Sequence, residues 1–166
     1  MAKQGKKRKP IPGTVASNRK ARHDFDILET FECGIQLVGA EVKSLRDAKV
    51  QLRDSFARVD GGEVWLHGVH IAPYEFAVGF GVVDPDRRRK LLLHRKQIDV
   101  LQRRTEQDGL TLVPLAIYFK EGRAKVELGL ARGRKIYDKR AAIAKRDFER
   151  EVARGVVRGS KEGGSR

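Results

Sequence analysis

The chain has 166 residues and a formal net charge of +14 at pH 7. At this length, one domain with terminal extensions is the simplest organisation. No apolar run approaches the ~18 residues that a membrane span needs, and no apolar segment of the signal-peptide type follows the basic N-terminus. The single cysteine, Cys33, suits a reducing compartment. We therefore predict a soluble cytoplasmic protein that does not bind membranes.

The excess positive charge lies at the two ends of the chain. Residues 1–22 contain eight Lys or Arg and no acid, and residues 132–166 contain twelve against five acids. Residues 23–131 contain 16 basic and 17 acidic residues. A near-neutral body with cationic ends is typical of a polyanion-binding protein, because each neutralised phosphate releases counterions. Solubilising, disordered termini are the alternative explanation.

The first half of the chain predicts an arm, a strand, a short helix and a hairpin. Residues 1–17 are predicted to be a flexible basic arm, since prolines and glycines separate their cations. Residues 23–39 have a strand pattern with a bulge or bend near Cys33 and Gly34. Residues 40–48 predict a helix, and residues 50–74 alternate around an Asp-Gly-Gly turn, as hairpins do.

The second half predicts a loop, a helix and another hairpin. Residues 75–86 are rich in glycine and end in Asp-Pro, which favours a long loop. Residues 91–107 have the apolar spacing of a helix. Residues 111–131 predict a hairpin with its turn at Glu121-Gly122, and Pro114 indicates an edge or bulged position.

These elements predict a mainly β protein with added helices. The simplest fold is a small, closed antiparallel barrel of the oligonucleotide-binding (OB) type over residues 18–131, because closure removes exposed strand edges. A half-open sheet with helices packed on one face is the alternative. Residues 132–166 are predicted to be a basic tail, helical to about residue 154 and flexible beyond.

Catalytic and metal-binding patterns are sparse. His67 and His70 are three residues apart in a predicted strand, which places them on opposite faces and argues against a metal pair. Aspartate pairs at 24/26 and 84/86 would suit a metal-dependent nuclease, but strand alternation and turn chemistry explain them better. We predict no enzymatic activity, no metal and no cofactor.

Three basic clusters are candidates for nucleic-acid contacts. Residues 18–22 combine the amide of Asn18, which can read base or ribose edges, with three cations. Residues 87–90 precede the second predicted helix, where the dipole disfavours cations, so a phosphate contact is one interpretation and a solvated charge run the other. Residues 132–135 contain Gly133, which permits close backbone approach, and Tyr137 offers a stacking face or simple packing.

The terminal helix has a narrow apolar stripe, consisting of Ala141, Ala144, Phe148 and Val152. Ion pairs along such a helix add only ~0.2 to 0.5 kcal/mol each, too little to stabilise it in isolation. We therefore expect this helix to form fully only when it binds a surface that attracts cations.

Long blocks of the sequence are similar to a known family. NRKARHD at 18–24, ETFECGIQLVGAEVKSLRDAK at 29–49, DPDRRRKLLLH at 84–94 and TLVPLAIYFKEGRAKVELGLARGRKIYDKR at 111–140 resemble the SsrA-binding proteins (small protein B, SmpB) of bacterial trans-translation. The resemblance covers roughly residues 13–154. It implies an OB-type barrel that binds the tRNA-like domain of transfer-messenger RNA (tmRNA, SsrA RNA) as a monomer.

The resemblance also implies how the protein acts. The complex enters stalled ribosomes and tags incomplete proteins for degradation, while the tail occupies the small-subunit decoding centre and the empty message channel. A permanent ribosomal protein that binds rRNA is the alternative, and a nuclease acting on structured RNA is a third hypothesis.

Two sets of residues are expected to make these contacts. The tmRNA-binding set implied by the resemblance, to which we add Arg89 and Lys90 from the basic cluster, contains Asn18, Arg19, Lys20, Arg22, Glu32, Glu41, Lys43, Leu92 and His94. The ribosome-binding set, to which we add Lys145 and Arg146, contains Arg132, Gly133, Arg134, Lys135, Tyr137, Asp138, Lys139 and Arg140.

Overall fold

The computed structural model describes residues 11–134 and 136–159, with the side chains of Phe80 and of residues 136–142 and 156–159 left out. The first ten residues of the predicted arm, Lys135 and the end of the tail from residue 160 therefore lie outside the described residues. The chain divides into two compact units between Gly133 and Arg134.

The first unit is built from strands and short helices. Its strands are β1 Thr14–Ser17, β2 Phe25–Ile35, β3 Val50–Gln51, β4 Phe56–Asp60, β5 Glu63–His67, β6 His70–Ile71, β7 Arg89–Leu92, β8 Thr111–Lys120 and β9 Arg123–Gly133. Its helices are α1 Arg19–Asp24, α2 Gly39–Arg46 and α3 Arg95–Gln107, with a 3-10 turn at Gly79–Gly81. The second unit contains one helix, α4 Ile136–Gly159. None of the described helices is long and apolar enough to cross a bilayer.

The main sheet closes into an antiparallel barrel. Its strand order is β1-β8-β4-β5-β7-β2-β9, and β8 also pairs with β9. The six strands from β8 to β9 therefore form a closed ring, to which β1 is added beside β8. Strand β8 pairs with three strands: Leu112 pairs with β4, residues 116–118 pair with β1, and the strand pairs with β9 along its length. The closed OB-type barrel is therefore confirmed, and the half-open alternative is excluded by the β8–β9 pairing.

The core fills the barrel from alternate strand positions and from two helices. In β2 the inward residues Phe31, Cys33 and Ile35 are buried, while Glu32 between them is exposed. Leu45 of α2 and Leu101 of α3 are both fully buried. Burying each such leucine stabilises the fold by about 1.5–3 kcal/mol, so α2 and α3 are held on the barrel by their apolar residues.

The two predicted hairpins are confirmed. The β4–β5 turn uses Gly61 and Gly62 at φ +58° and +75°, and the β8–β9 turn uses Glu121 and Gly122 at +52° and +73°. Positive φ at both central positions matches the right-handed twist of the strands. The bulge predicted at Pro114 is also confirmed, between Pro114 and Ala116.

The beginning of the barrel differs from the prediction in three ways. Part of the predicted arm, Thr14–Ser17, forms β1 because it pairs with β8. Residues 19–24 form helix α1, so the strand predicted from residue 23 begins at Phe25. Its bulge lies between Ile27 and Glu29, whereas the predicted site, Cys33 and Gly34, pairs in register with β9.

Two helix boundaries were also wrong. The helix predicted from residue 91 begins at Arg95, because Leu91 is buried in strand β7 between β2 and β5. Helix α4 continues to Gly159, although the tail was predicted to be helical only to about residue 154. A glycine inside a helix costs only about 1 kcal/mol relative to alanine, so Gly155 weakens the helix without ending it.

Candidate nucleic-acid interface

Asn18 is a structural residue at the N-terminus of α1. Its Oδ1 accepts a hydrogen bond from the Ala21 N–H at 3.0 Å, and its Nδ2 donates to the carbonyls of Leu52 and Pro114, both at 3.1 Å. The side chain is buried. The amide oxygen and nitrogen of Asn18 therefore make their hydrogen bonds inside the protein, and the reading of base or ribose edges by this amide stays a prediction.

Asn18 nevertheless places the cations of α1 on the surface. Arg19 is exposed and pairs with no acid in the part of the chain that the structure describes. Lys20 pairs with Asp54 at 2.5 Å, and the Arg22 Nη2 lies 2.8 Å from the Glu127 carboxylate on β9. Helix α1 thus places Arg22 beside β9 and Lys20 beside Asp54, in the segment before β4.

A second ion cluster forms around Glu32 on the outer surface of β2. The Tyr118 hydroxyl donates to Glu32 Oε2 at 2.5 Å, and the Lys120 ammonium lies 3.3 Å from Oε1. The hydrogen bond from Tyr118, aided by Lys120 and by the charge of Lys125, lowers the pKa of Glu32. Burial, together with the hydrogen bond to Glu32, raises the pKa of Tyr118. Glu32 is therefore a fixed, ionised acceptor on the surface.

Strand pairing brings Leu92 next to this cluster. Gly34 pairs with Lys125 on one side and with Leu92 on the other. A Cβ atom at Gly34 would lie 3.2 Å from the Leu92 Cβ, so the glycine leaves room for the leucine. Leu92 is 52% exposed.

The outer surface of β2, β7, β8 and β9 therefore gathers cations, oriented carboxylates and one exposed apolar side chain. We call this surface the barrel face. It consists of the exposed or half-buried Arg22, Glu32, Leu92, Lys120 and Lys125, together with Tyr118 and Glu127, which are buried against them.

Glu41 lies in a buried ion cluster that fixes the loop before β7. Arg87 donates to both carboxylate oxygens at 2.9 and 2.6 Å, Arg89 Nε donates at 2.9 Å, and the Val38 N–H donates at 3.0 Å. The Arg89 side chain is fully buried and also donates to three backbone carbonyls. This cluster joins α2 to the residues that lead into β7.

Burial and hydrogen bonding shift the pKa values of Glu41 and Arg89, two of the predicted tmRNA-binding residues. Burial alone would raise the pKa of Glu41, but the hydrogen bonds from Arg87 and Val38 and the charge of Arg89 outweigh it and lower the pKa. Burial lowers the pKa of Arg89, and the neighbouring Glu41 opposes that shift. In this structure Glu41 and Arg89 are buried and make their hydrogen bonds within the protein. The tmRNA contacts expected of these two residues stay predictions.

The remaining predicted tmRNA-binding residues lie at or near the surface. Lys90 points outward from β7 and pairs with Glu63 at 2.6 Å. The Lys43 ammonium lies 5.1 Å from the centre of the Tyr74 ring. His94 is exposed, and its backbone N–H donates to Gln97 at the start of α3.

The predicted ribosome-binding residues are only partly described. Arg132 and Gly133 end β9, and Arg134 follows it; all three are exposed. Tyr137, Asp138, Lys139 and Arg140 belong to α4, but their side chains lie outside the described set, as does Lys135 altogether. Lys145 and Arg146 are exposed on α4.

Sequence reasoning missed Tyr118, Lys120, Lys125 and Glu127 on the barrel face. They follow Glu32 by 86 to 95 residues, and only the pairing of β9 with β2 and β8 brings them together. The structure also separates His67 and His70 into β5 and β6, and no group of three or more potential metal ligands occurs within residues 11–134 and 136–159.

Comparison with known proteins assigns the chain to a family. The model of the SmpB protein family matches residues 15–158. An SsrA-binding protein of Chloroflexus aurantiacus is 58% identical over 147 residues, covering 89% of this chain and 92% of the relative. The SsrA-binding protein of Desulforudis audaxviator is 57% identical, covering 86% and 93%, and that of Mycobacteroides abscessus is 53% identical, covering 93% and 98%.

A solved structure agrees with these matches. It is described as "tmRNA-SmpB: a journey to the center of the bacterial ribosome", and its matching chain is 54% identical with a TM-score of 0.63, covering 77% of this chain and 93% of that chain. Sequence and fold therefore lead to the same assignment: the chain belongs to the SmpB protein family.

Proposed function

We propose that this protein is a non-enzymatic adaptor that binds the tRNA-like domain of tmRNA and delivers it to stalled ribosomes in the bacterial cytoplasm. The observation that carries the proposal is the barrel face, where cations surround an ionised carboxylate beside an exposed leucine. The names of the relatives and of the similar solved structure support tmRNA and the ribosome as partners.

The barrel face suits structured RNA. Arg22, Lys120 and Lys125 supply positive charge for phosphates, while Glu32 can accept hydrogen bonds from ribose hydroxyls or base amino groups. Tyr118 and Lys120 hold Glu32 in one orientation, so little side-chain entropy is lost when RNA binds. Leu92 supplies apolar contact for a ribose or base. The cations of α1 extend this surface.

The second unit suits a groove walled by RNA. Helix α4 contains seven Lys or Arg and four acids, and its apolar residues Ile143, Phe148 and Val152 are about half or more exposed. We propose that it enters the empty message channel, with residues 132–140 near the decoding centre. A narrow apolar stripe and abundant cations are consistent with a partner that provides phosphates.

A pair of charge-reversal variants separates the two roles. Lys120→Glu with Lys125→Glu should weaken tmRNA binding by at least tenfold, because two cations of the barrel face become anions. Lys145→Glu with Arg146→Glu should leave tmRNA binding unchanged and abolish peptide tagging on ribosomes stalled at the end of a message. Lys96→Glu with Arg103→Glu, two exposed positions on α3, is the control of equal charge change.

Equal loss of tmRNA binding in all three double variants would contradict the proposal, because net charge alone would then explain binding. Ribosome association that does not rise on stalling would instead favour the permanent ribosomal protein considered from the sequence. Cleavage of bound RNA in the presence of Mg²⁺ would contradict the non-enzymatic role.

A further inference from the structure

The outer surface of the β4–β5 hairpin carries aromatic and cationic side chains that the barrel face does not include. Phe56 pairs with His67, and Arg58 pairs with Trp65, which in turn pairs with Lys90 of β7. The alternate residues of β5 are buried in the core, so these side chains share the outer surface. The hairpin thus joins a stacked aromatic pair to a tryptophan flanked by cations.

The tryptophan lies beneath a guanidinium. The Arg88 guanidinium carbon is 4.5 Å from the centre of the Trp65 ring. Neither Arg88 nor Arg58 pairs with a carboxylate within the described part of the chain, whereas Lys90 is neutralised by Glu63 at 2.6 Å. Two guanidinium groups therefore keep donors available for an anion on either side of the indole.

The neighbouring aromatic pair is flat and accessible. The rings of Phe56 and His67 are stacked, with centroids 5.2 Å apart and an interplanar angle of 11°. Phe56 is 40% exposed although it is a large apolar residue. An accessible aromatic ring beside unneutralised guanidinium groups meets the two requirements of a single-stranded nucleic acid, which needs faces for unpaired bases and cations for its backbone.

We propose that Phe56, Arg58, Trp65, His67 and Arg88, here called the β4–β5 platform, bind a single-stranded segment of RNA. One base stacks on the exposed ring of Phe56. Another stacks on the planar guanidinium of Arg88 above Trp65, as bases do on arginine planes in RNA complexes. Arg58 and Arg88 contact the phosphates between them.

The platform is additional to the barrel face and does not involve α4. Inside a duplex the base faces are covered by the neighbouring base pairs, so the interior of a duplex cannot stack on the aromatic rings of the platform. An acidic peptide offers charge but no flat stacking surface. The platform should therefore distinguish these three ligands by stacking, and not by charge alone.

Trp65 provides a local reporter because it is the only tryptophan in the chain. The full-length protein is titrated with a dye-labelled oligouridylate of about ten nucleotides, within the range bound by single-strand sites. Dye anisotropy measures binding anywhere on the protein, whereas tryptophan emission measures occupation of the platform. We expect the emission to be quenched in parallel with the rise in anisotropy, and not by an RNA duplex or an acidic peptide.

Phenylalanine variants test the stacking contact. Phe56→Ala should weaken binding measured through Trp65 by about 5- to 150-fold, the effect of losing one stacked base. Phe56→Tyr keeps the ring and should bind like the wild type. Phe76→Ala is the matched control, because Phe76 is also an exposed phenylalanine but lies in the loop after β6.

Four results would overturn the platform: no binding of the oligonucleotide, binding without a change in tryptophan emission, equal quenching by duplex or acidic peptide, or equal effects of Phe56→Ala and Phe76→Ala. These readouts do not depend on tmRNA or tagging. Failure of the platform therefore leaves the proposed function of the barrel face intact, and the reverse also holds.

Discussion

Replacing Glu41 by glutamine tests the buried ion cluster most directly. The substitution keeps the size and shape of the side chain and removes its charge. The fully buried Arg89 then loses its carboxylate partner, although its hydrogen bonds to three backbone carbonyls remain. Breaking a buried ion pair from one side costs about 3–5 kcal/mol, because an uncompensated charge stays in the interior.

Arg87→Gln is the matched control within the same cluster. The Arg87 side chain is 30% exposed, and its removal leaves Glu41 paired with Arg89. A partly solvated partner contributes about 1 kcal/mol or less. The structure therefore predicts that Glu41→Gln is several times more destabilising than Arg87→Gln.

Denaturation of the full chain, followed through Trp65 in the barrel, measures both changes. The midpoint of thermal unfolding should fall by roughly 6–20 °C for Glu41→Gln, at about 2–4 °C per kcal/mol for a chain of this size. The fall for Arg87→Gln should be at most about 4 °C by the same conversion. Equal midpoints for the two variants, or a change of less than about 1 kcal/mol for Glu41→Gln, would refute the assignment of the buried charge.

Three further predictions concern pH, a helix cap and the single thiol. Folding lowers the pKa of Glu41, so its ionised form stabilises the protein at pH values above the ordinary glutamate pKa of about 4.3. This stability is lost as the pH falls through the lowered pKa. Acid titration of unfolding should therefore be steeper below about pH 4.3 for the wild type than for Glu41→Gln; equal slopes would contradict this. Asn18→Ala should lower the free energy of unfolding by about 2–3 kcal/mol, through a lost cap and two unsatisfied carbonyls, whereas Arg19→Ala should change it by less than about 0.5 kcal/mol. Burial raises the pKa of Cys33 to about 12, so a thiol reagent at pH 8 should modify it only after urea unfolding, and rapid modification of the native protein would be inconsistent with its position.

The barrel could be predicted from local patterns, but several boundaries could not. Alternating apolar residues and positive-φ turn sequences identified both hairpins, because these signals act within a few residues. The strand at Arg89–Leu92 was missed because Leu91 and Leu92 also fit the apolar spacing of the following helix. Its identity as a strand depends on pairing with β2 and β5, which are distant in the chain.

For the candidate site, too, the sequence predicted some features, whereas others depended on contacts between distant parts of the chain. The charge distribution and the basic clusters indicated a nucleic-acid partner, and the sequence blocks indicated the family, because composition and motifs are properties of the chain itself. They did not distinguish the exposed Arg22 from the buried Arg89, since both are arginines in basic runs. Burial depends on neighbours from other elements, and for Arg89 these include Glu41 on α2 and backbone carbonyls in two loops.

The sequence by itself thus determined the class of fold, the separation of a near-neutral body from cationic ends, and the family. Only the tertiary structure decided that Asn18, Glu41 and Arg89 are buried. It also decided that Glu32 contacts Tyr118 and Lys120, which lie on a strand more than 80 residues later in the chain. The physical reason is that local propensities specify turns and strands, whereas strand register fixes which distant side chains meet and which charges leave water.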